Sequence, residues 1–188
     1  MKRQRFRRQI ARIDPRRLVF LDEAGANTSM GRSHAWIQRG TELVEPRPMN
    51  WGLNLTMIGA VRLRGWVSLG TMFKSANRVR FVAWLTRRLV PKLKRGDVVV
   101  MDNATAHHDS RVRSVLAAAG VRLLYLPPYS PDFNPIEPAW AIVKKHIRAC
   151  APRIAAALRR VARRARFRVR RDHIRAWFGH AGYLRRHE

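Results

Sequence analysis

The sequence predicts an α/β protein, a mixed sheet flanked by helices, on the strength of three observations. Two short apolar runs, Leu18-Val-Phe-Leu21 and Asp97-Val-Val-Val-Met101, lead straight into an aspartate, Asp22 and Asp102. A third apolar run, Val121–Leu126, halts at Pro127-Pro128. Strand-like segments dominate early, alternate with helix-like ones later, and give way to a helical, Arg-rich end.

Each element has a local reason. Leu18–Leu21 has the composition of a buried strand, and Glu23-Ala-Gly-Ala-Asn27 after it reads as a polar turn. His34–Gln38 and Leu53–Arg62 are further strand candidates, and the two prolines of Thr41–Asn50 predict a loop between them. Gly65 turns the chain into Trp66–Met72. Asn77 caps a helix reaching Leu89, with Pro91 just past its end. Asp109–Ala119 is helical and stops at Gly120. Asn134, Pro135 and Glu137 then stand as N-cap, first and third residues of a helix to about Arg148. With Ile136 as zero and ~100° per residue, Trp140, Val143 and Ile147 lie within about 40° of it, a stripe suited to the sheet. Glu137, Lys144 and Arg148 gather separately, between about 80° and 120°. Pro152 opens a further helix with an apolar stripe of Ile154, Ala157, Leu158, Val161 and Ala165, and the chain to His187 is mostly helical. The expected organisation is a solvated basic arm over 1–15, an α/β domain over 16–150, and a basic helical extension over 151–188 packed on it.

Composition narrows the partner. The chain of 188 residues carries 39 Lys and Arg against 12 acidic residues, a net charge of +27. Such a field opposes its own compaction, and a polyanion relieves it by neutralising charge and releasing counterions. Nucleic acid is the partner this implies; a solvated basic surface or an anionic membrane surface is the alternative. Arg outnumbers Lys 33 to 6, which suits bidentate phosphate binding, although a GC-rich genome yields the same bias. A single cysteine, Cys150, excludes an internal disulfide. No apolar run approaches a membrane span, and the expectation is a soluble cytoplasmic protein with no membrane contact.

With so few acids, the position of each matters. Parallel neighbouring strands would bring Asp22 and Asp102 to one carboxyl edge, where open α/β sheets build their sites. Clustered carboxylates call for a cation, and hard oxygen donors suit Mg²⁺ or Mn²⁺. Taken alone, an aspartate at a strand end is more often a turn former or helix cap, and Glu137 alone serves as the far half of a capping box. Glu23, next to Asp22, faces the other side of the sheet if the strand continues, and is expected to be structural.

The spacing is more specific than its parts. Thirty-four residues separate Asp102 from Glu137. That interval resembles the DDE transposases of the mariner superfamily, and most of all their bacterial insertion-sequence branch. The resemblance rests on Phe20-Leu-Asp-Glu-Ala-Gly25, Gly96-Asp-Val-Val-Val-Met-Asp-Asn-Ala-Thr-Ala-His107, Leu126-Pro-Pro-Tyr-Ser-Pro-Asp-Phe-Asn-Pro-Ile-Glu137 and Trp177-Phe-Gly-His-Ala-Gly-Tyr183. It spans roughly Arg16 to Tyr183 and implies a ribonuclease-H-like, mixed five-stranded sheet. It further implies that Asp22, Asp102 and Glu137 are both catalytic residues and ligands to two Mg²⁺ or Mn²⁺ ions, cutting DNA at transposon ends and joining it to target DNA.

The same resemblance points to supporting residues. Asn103 and His107 match positions the family fills similarly and orient phosphate, water or Asp102; the alternative is a turn cap and a surface histidine. Asn134 is a third candidate. The position after His107, often lysine in the family, is His108 here. Lys144, Lys145, Arg148, Arg159, Arg160, Arg163 and Arg164 are the candidate DNA-binding residues, and a homodimer on nucleoid DNA is the expected assembly. Complete relatives carry an amino-terminal helix-turn-helix, whereas only about 15 residues precede the first strand here. The expectation is therefore a fragment, one frame of a frameshifted element or a degenerate copy. Two alternatives stay open: an inactive remnant that coats nucleic acid by charge, and a nuclease on the same fold that cuts without joining.

Overall fold

The computed structural model describes residues 1–184 apart from Ser33, Leu43 and Trp51, with the side chains of Thr105 and Ala106 also left aside. Five strands form one sheet: β1 (Leu18–Ala26), β2 (Leu55–Arg62), β3 (Gly65–Met72), β4 (Val98–Met101) and β5 (Arg122–Tyr125). Their order is β3-β2-β1-β4-β5. β1, β4 and β5 run parallel, and β2 and β3 add as an antiparallel hairpin on the far side of β1. This is the mixed five-stranded sheet that the motifs imply.

Alternation along the strands divides the core into two layers. Leu18, Phe20 and Ala24 of β1, with Met57, Val61, Val98 and Val100, face one side. There they meet α4 (Glu137–Cys150), α5 (Ala155–Ala165) and α6 (Arg171–His180) through Trp140, Val143, Ile147, Leu158, Ile174 and Phe178. Val19, Leu21, Ile58, Ala60, Val99 and Met101 face the other side. These pack on α2 (Arg78–Trp84) and α3 (Ser110–Ala118) through Phe81, Val112 and Leu116. The stripe of Trp140, Val143 and Ile147 expected to lie on the sheet does so. Asn77 accepts the backbone N–H of Arg80 and starts α2 as expected, and Asp109, read as the first helical residue, instead caps α3 by accepting the N–H of Arg111.

Five further expectations are corrected. Glu23–Asn27 is not a turn after Asp22: β1 continues to Ala26, because β2 supplies a partner for every residue from Val19 to Ala26. His34–Gln38 is not a strand; it runs as irregular chain outside the five-stranded sheet. Residues 1–15 are not a wholly solvated arm. Lys2–Ile10 is helix α1, whose Phe6 stacks on Phe133 at 5.6 Å and whose Ile10 is buried, so a sparse apolar face suffices to dock it. Ile154 of the proposed α5 stripe is exposed, and Ala162 takes its place among the buried positions. Finally, α4 starts later than the capping box requires. Its N-cap is Ile136, no side chain caps it, and Glu137 is its first residue. Asn134 instead uses its carbonyl to accept the Glu137 N–H. The last helix ends at His180, and 185–188 lie outside the described residues.

Candidate active site at the carboxyl edge of the sheet

Asp22, Asp102 and Glu137 reach one edge of the sheet from three elements. Asp22 lies within β1 opposite Gly59, just past the point where β4 stops pairing at Phe20–Val100. Asp102 follows the last residue of β4, and Glu137 occupies the first turn of α4. Asp22 is buried, Asp102 half-buried and Glu137 exposed, so the cluster opens from the core to the surface.

Asp22 feels this arrangement most. Burial, reinforced by the charges of Glu137 and Asp102, pushes its carboxyl up to about 7. The Glu23 backbone N–H and, at 3.1 Å, the indole N–H of Trp140 donate to the carboxyl and partly offset the burial. No cationic side chain among the described residues neutralises it. Gly59 makes room for the indole: a Cβ there would come within 2.7 Å of Trp140 and 2.8 Å of Trp66. A glycine inside an apolar strand is a sign of such a close approach, and it is the one signal by which sequence alone could have found the Trp140 contact.

Asp102 is held differently. Its Oδ1 accepts the Ala104 N–H at 3.0 Å and lies 2.6 Å from Nδ1 of His107. The His107 bond holds its carboxyl below the usual range. His107 is not a surface histidine; it is 2% exposed, with its ring 4.5 Å from that of Phe81. Burial opposes its charge, but the hydrogen bond with Asp102 and the nearby Glu23 carboxylate outweigh it and lift the ring to about 9. The His107–Glu23 contact, 3.6 Å from Nε2 to Oε1, comes from a residue read as merely structural. Asn103 donates from Nδ2 to the Leu126 carbonyl at 3.3 Å, tying the end of β4 to the end of β5. Asn134 is buried, and among the described residues its Oδ1 has no hydrogen-bond partner.

Hard carboxylate oxygens, a buried acid held up by two like charges, and no neutralising cation fit a divalent ion. As placed, however, no three acidic, histidine or cysteine side chains among the described residues enclose one. The site is an electrostatic cluster, not a closed cage.

Residues 17–157 match the family described as DDE superfamily endonuclease. The chain belongs to that family. Its fold is shared with solved structures of Mos1 transposase. The Mos1 strand transfer complex aligns with a TM-score of 0.70 at 18% identity, over 94% of this chain and 53% of that one. The Mos1 mariner paired end complex with Mn gives 0.72 at 17%, over 94% and 54%. The Mos1 catalytic domain alone gives 0.62 at 15%, over 94% and 80%. The chain thus spans about half the length of the transposase chains in those complexes. No curated protein matches the sequence.

The basic candidates form two groups around this DDE fold. Lys144 and Arg148 are half-buried on α4 and Lys145 is exposed. Arg159, Arg160, Arg163 and Arg164 are exposed on α5, where they line one concave surface with Arg166 and Phe167. The Arg159 guanidinium lies 4.5 Å over the ring of Phe73, just past the end of β3. No described helix is long and apolar enough to cross a membrane.

Proposed function

We propose that this chain is the catalytic domain of a DNA transposase that cleaves at transposon ends and transfers the freed 3′ end into target DNA. The observation that carries the reading is Asp22: a buried carboxylate raised by Glu137 and Asp102, with no cation of its own, in a chain of net charge +27. Asp22, Asp102 and Glu137 would hold the divalent ions, two Mg²⁺ or Mn²⁺. The chemistry such ions supply is activation of the attacking oxygen and stabilisation of the leaving 3′ oxygen in an in-line displacement.

The protein's own residues set up that chemistry. The Trp140 N–H and the Glu23 backbone N–H hold the Asp22 carboxyl in place. The bonds from Ala104 and His107 fix Oδ1 of Asp102. Glu137, freed from any capping role, stands on the first turn of α4, where unpaired N–H groups favour a carboxylate. Asn103 and Asn134 support the loops on either side. Lys144, Lys145 and Arg148, with Arg159, Arg160, Arg163 and Arg164, would track the phosphates, and paired transposon ends would require two copies on DNA. The motif resemblance supports the bacterial insertion-sequence branch, hence a cytoplasmic protein on the nucleoid. The division into segments 1–15, 16–150 and 151–188 belongs to the same proposal.

The test is nicking and joining of labelled DNA. Mg²⁺ or Mn²⁺ should be required, and Asp22→Ala, Asp102→Ala and Glu137→Ala should each abolish both steps while DNA retention in gel shift persists. Activity that survives all three substitutions would sink the reading. A precut end bearing a 3′ hydroxyl separates a transposase, which joins it, from a nuclease, which leaves it.

A further inference from the structure

Adjacent residues of a strand point to opposite faces, so β1 offers two carboxylates in succession. Asp22 turns toward α4, where Trp140 meets it. Glu23 turns toward α2, onto the face where His107 packs against Phe81. His107 reaches that face because the short 3-10 turn Thr105–His108 folds back beneath the end of β4. Its two ring nitrogens then meet two acids: Nδ1 lies 2.6 Å from Asp102 Oδ1, and Nε2 lies 3.6 Å from Glu23 Oε1. Glu23 Oε1 and His107 Nε2 are both buried, and among the described residues neither has a hydrogen-bond partner, so the contact between them is an ion pair. They have only each other.

From this geometry we propose that Glu23 is a positioning residue of the metal centre: through His107 it fixes the orientation of Asp102 from the opposite face of the sheet. The inference rests on Asp102 being a metal ligand. Asp102 Oδ1 is already occupied by Ala104 and His107, and among the described residues no partner takes Oδ2. Asp102 is therefore presented to the cation through one oxygen, Oδ2, in a rotamer set before the ion arrives. The half-buried carboxyl follows a strand that has just ended and has few neighbours of its own. Without Glu23, the imidazole can slide along Phe81, and with it the bond that aims Asp102. An outer partner of this kind typically alters metal affinity 10- to 100-fold.

The test is a Mn²⁺ titration of the whole chain without DNA, by calorimetry and by the electron paramagnetic resonance signal of free Mn²⁺. Melting curves check that each variant folds. Asp102→Ala defines the site and should remove its Mn²⁺ binding. Glu23→Ala should weaken binding about 10-fold, in line with other outer partners. Glu23→Met, which fills the same space without an acceptor, should do the same if the alanine variant is unstable. Glu23→Gln keeps an acceptor for Nε2–H and should bind within about twofold of the parent, far less than the ordinary loss of an outer partner. The double variant Glu23→Ala/His107→Ala should be no weaker than His107→Ala alone, as expected for residues acting in series. Parent-like binding by folded Glu23→Ala or Glu23→Met, or additive losses in the double variant, overturns the inference while leaving the metal centre standing. Unchanged binding by Asp102→Ala overturns the metal centre, and the inference with it.

Discussion

Two buried aspartates lie at opposite ends of the central strands, and the fold answers the charge of one but not of the other. Asp97, 4% exposed, precedes β4 at the amino edge. Its charge is answered: Arg62 donates to Oδ2 at 2.9 Å, and the Lys94 N–H donates to the same oxygen at 2.9 Å. Asp22, 8% exposed, faces the carboxyl edge with an indole N–H on one oxygen and two further carboxylates nearby. A fold that neutralises one buried acid and concentrates charge around the other has left the second in need of something from outside. The cost of a lone buried charge is several kcal/mol, so Asp22 keeps its proton below about 7 and, once ionised, calls for a partner ion.

Substitutions at the two ends should therefore diverge. The largest effect is on catalysis: Asp22→Ala should reduce cation-dependent DNA cleavage below detection, whereas Asp97→Ala at matched folded concentration should leave its Mn²⁺ requirement unchanged. A shifted Mn²⁺ requirement in the Asp97 variant would break the comparison. Next comes stability. Asp97→Ala strands the mostly buried Arg62 and should cost about 3 kcal/mol in denaturant unfolding, as for other broken buried pairs. Gly59→Ala should cost about 1–3 kcal/mol, the usual penalty of overpacking, because the indoles of Trp140 and Trp66 must both give way. It should also weaken Mn²⁺ binding, since Trp140 carries the bond to Asp22.

The smallest effect is a pH slope. The folded carboxyl of Asp22 at about 7 lies above its ordinary value of 3.8. Between those values the native state holds a proton that the unfolded chain has released. Asp22 therefore lowers the stability of the metal-free protein as pH rises through that window, and adds no slope above it. Asp22→Asn should flatten this part of the profile in thermal melts. An unchanged slope would show that the carboxyl does not carry the burden assigned to it.

How much could be read from the chain depended on the range of the forces involved. The runs at 18–21 and 98–101, the cap Asn77, and the sheet-facing stripe of Trp140, Val143 and Ile147 are local patterns, and each appears in the fold. The misreadings have a common source in partners distant along the chain. Glu23-Ala-Gly-Ala resembles a turn until β2 pairs with it, and Lys2–Ile10 resembles a solvated arm until Phe6 finds Phe133. Asn134-Pro-Ile-Glu137 matches a capping box, yet α4 begins at Glu137 and leaves that side chain free at the edge.

By itself, the sequence determined the alternation of strands and helices, the basic charge, and which three acids stand at the motif spacing. These follow from neighbours along the chain and from composition, which no folding event changes. Tertiary structure alone decided that Asp22 is buried beside Trp140, that Gly59 admits the indole, and that His107 stands between Asp102 and Glu23. Burial and charge coupling depend on distance in space, and the sheet brings residues 23, 102 and 107 to one place from separate stretches of chain.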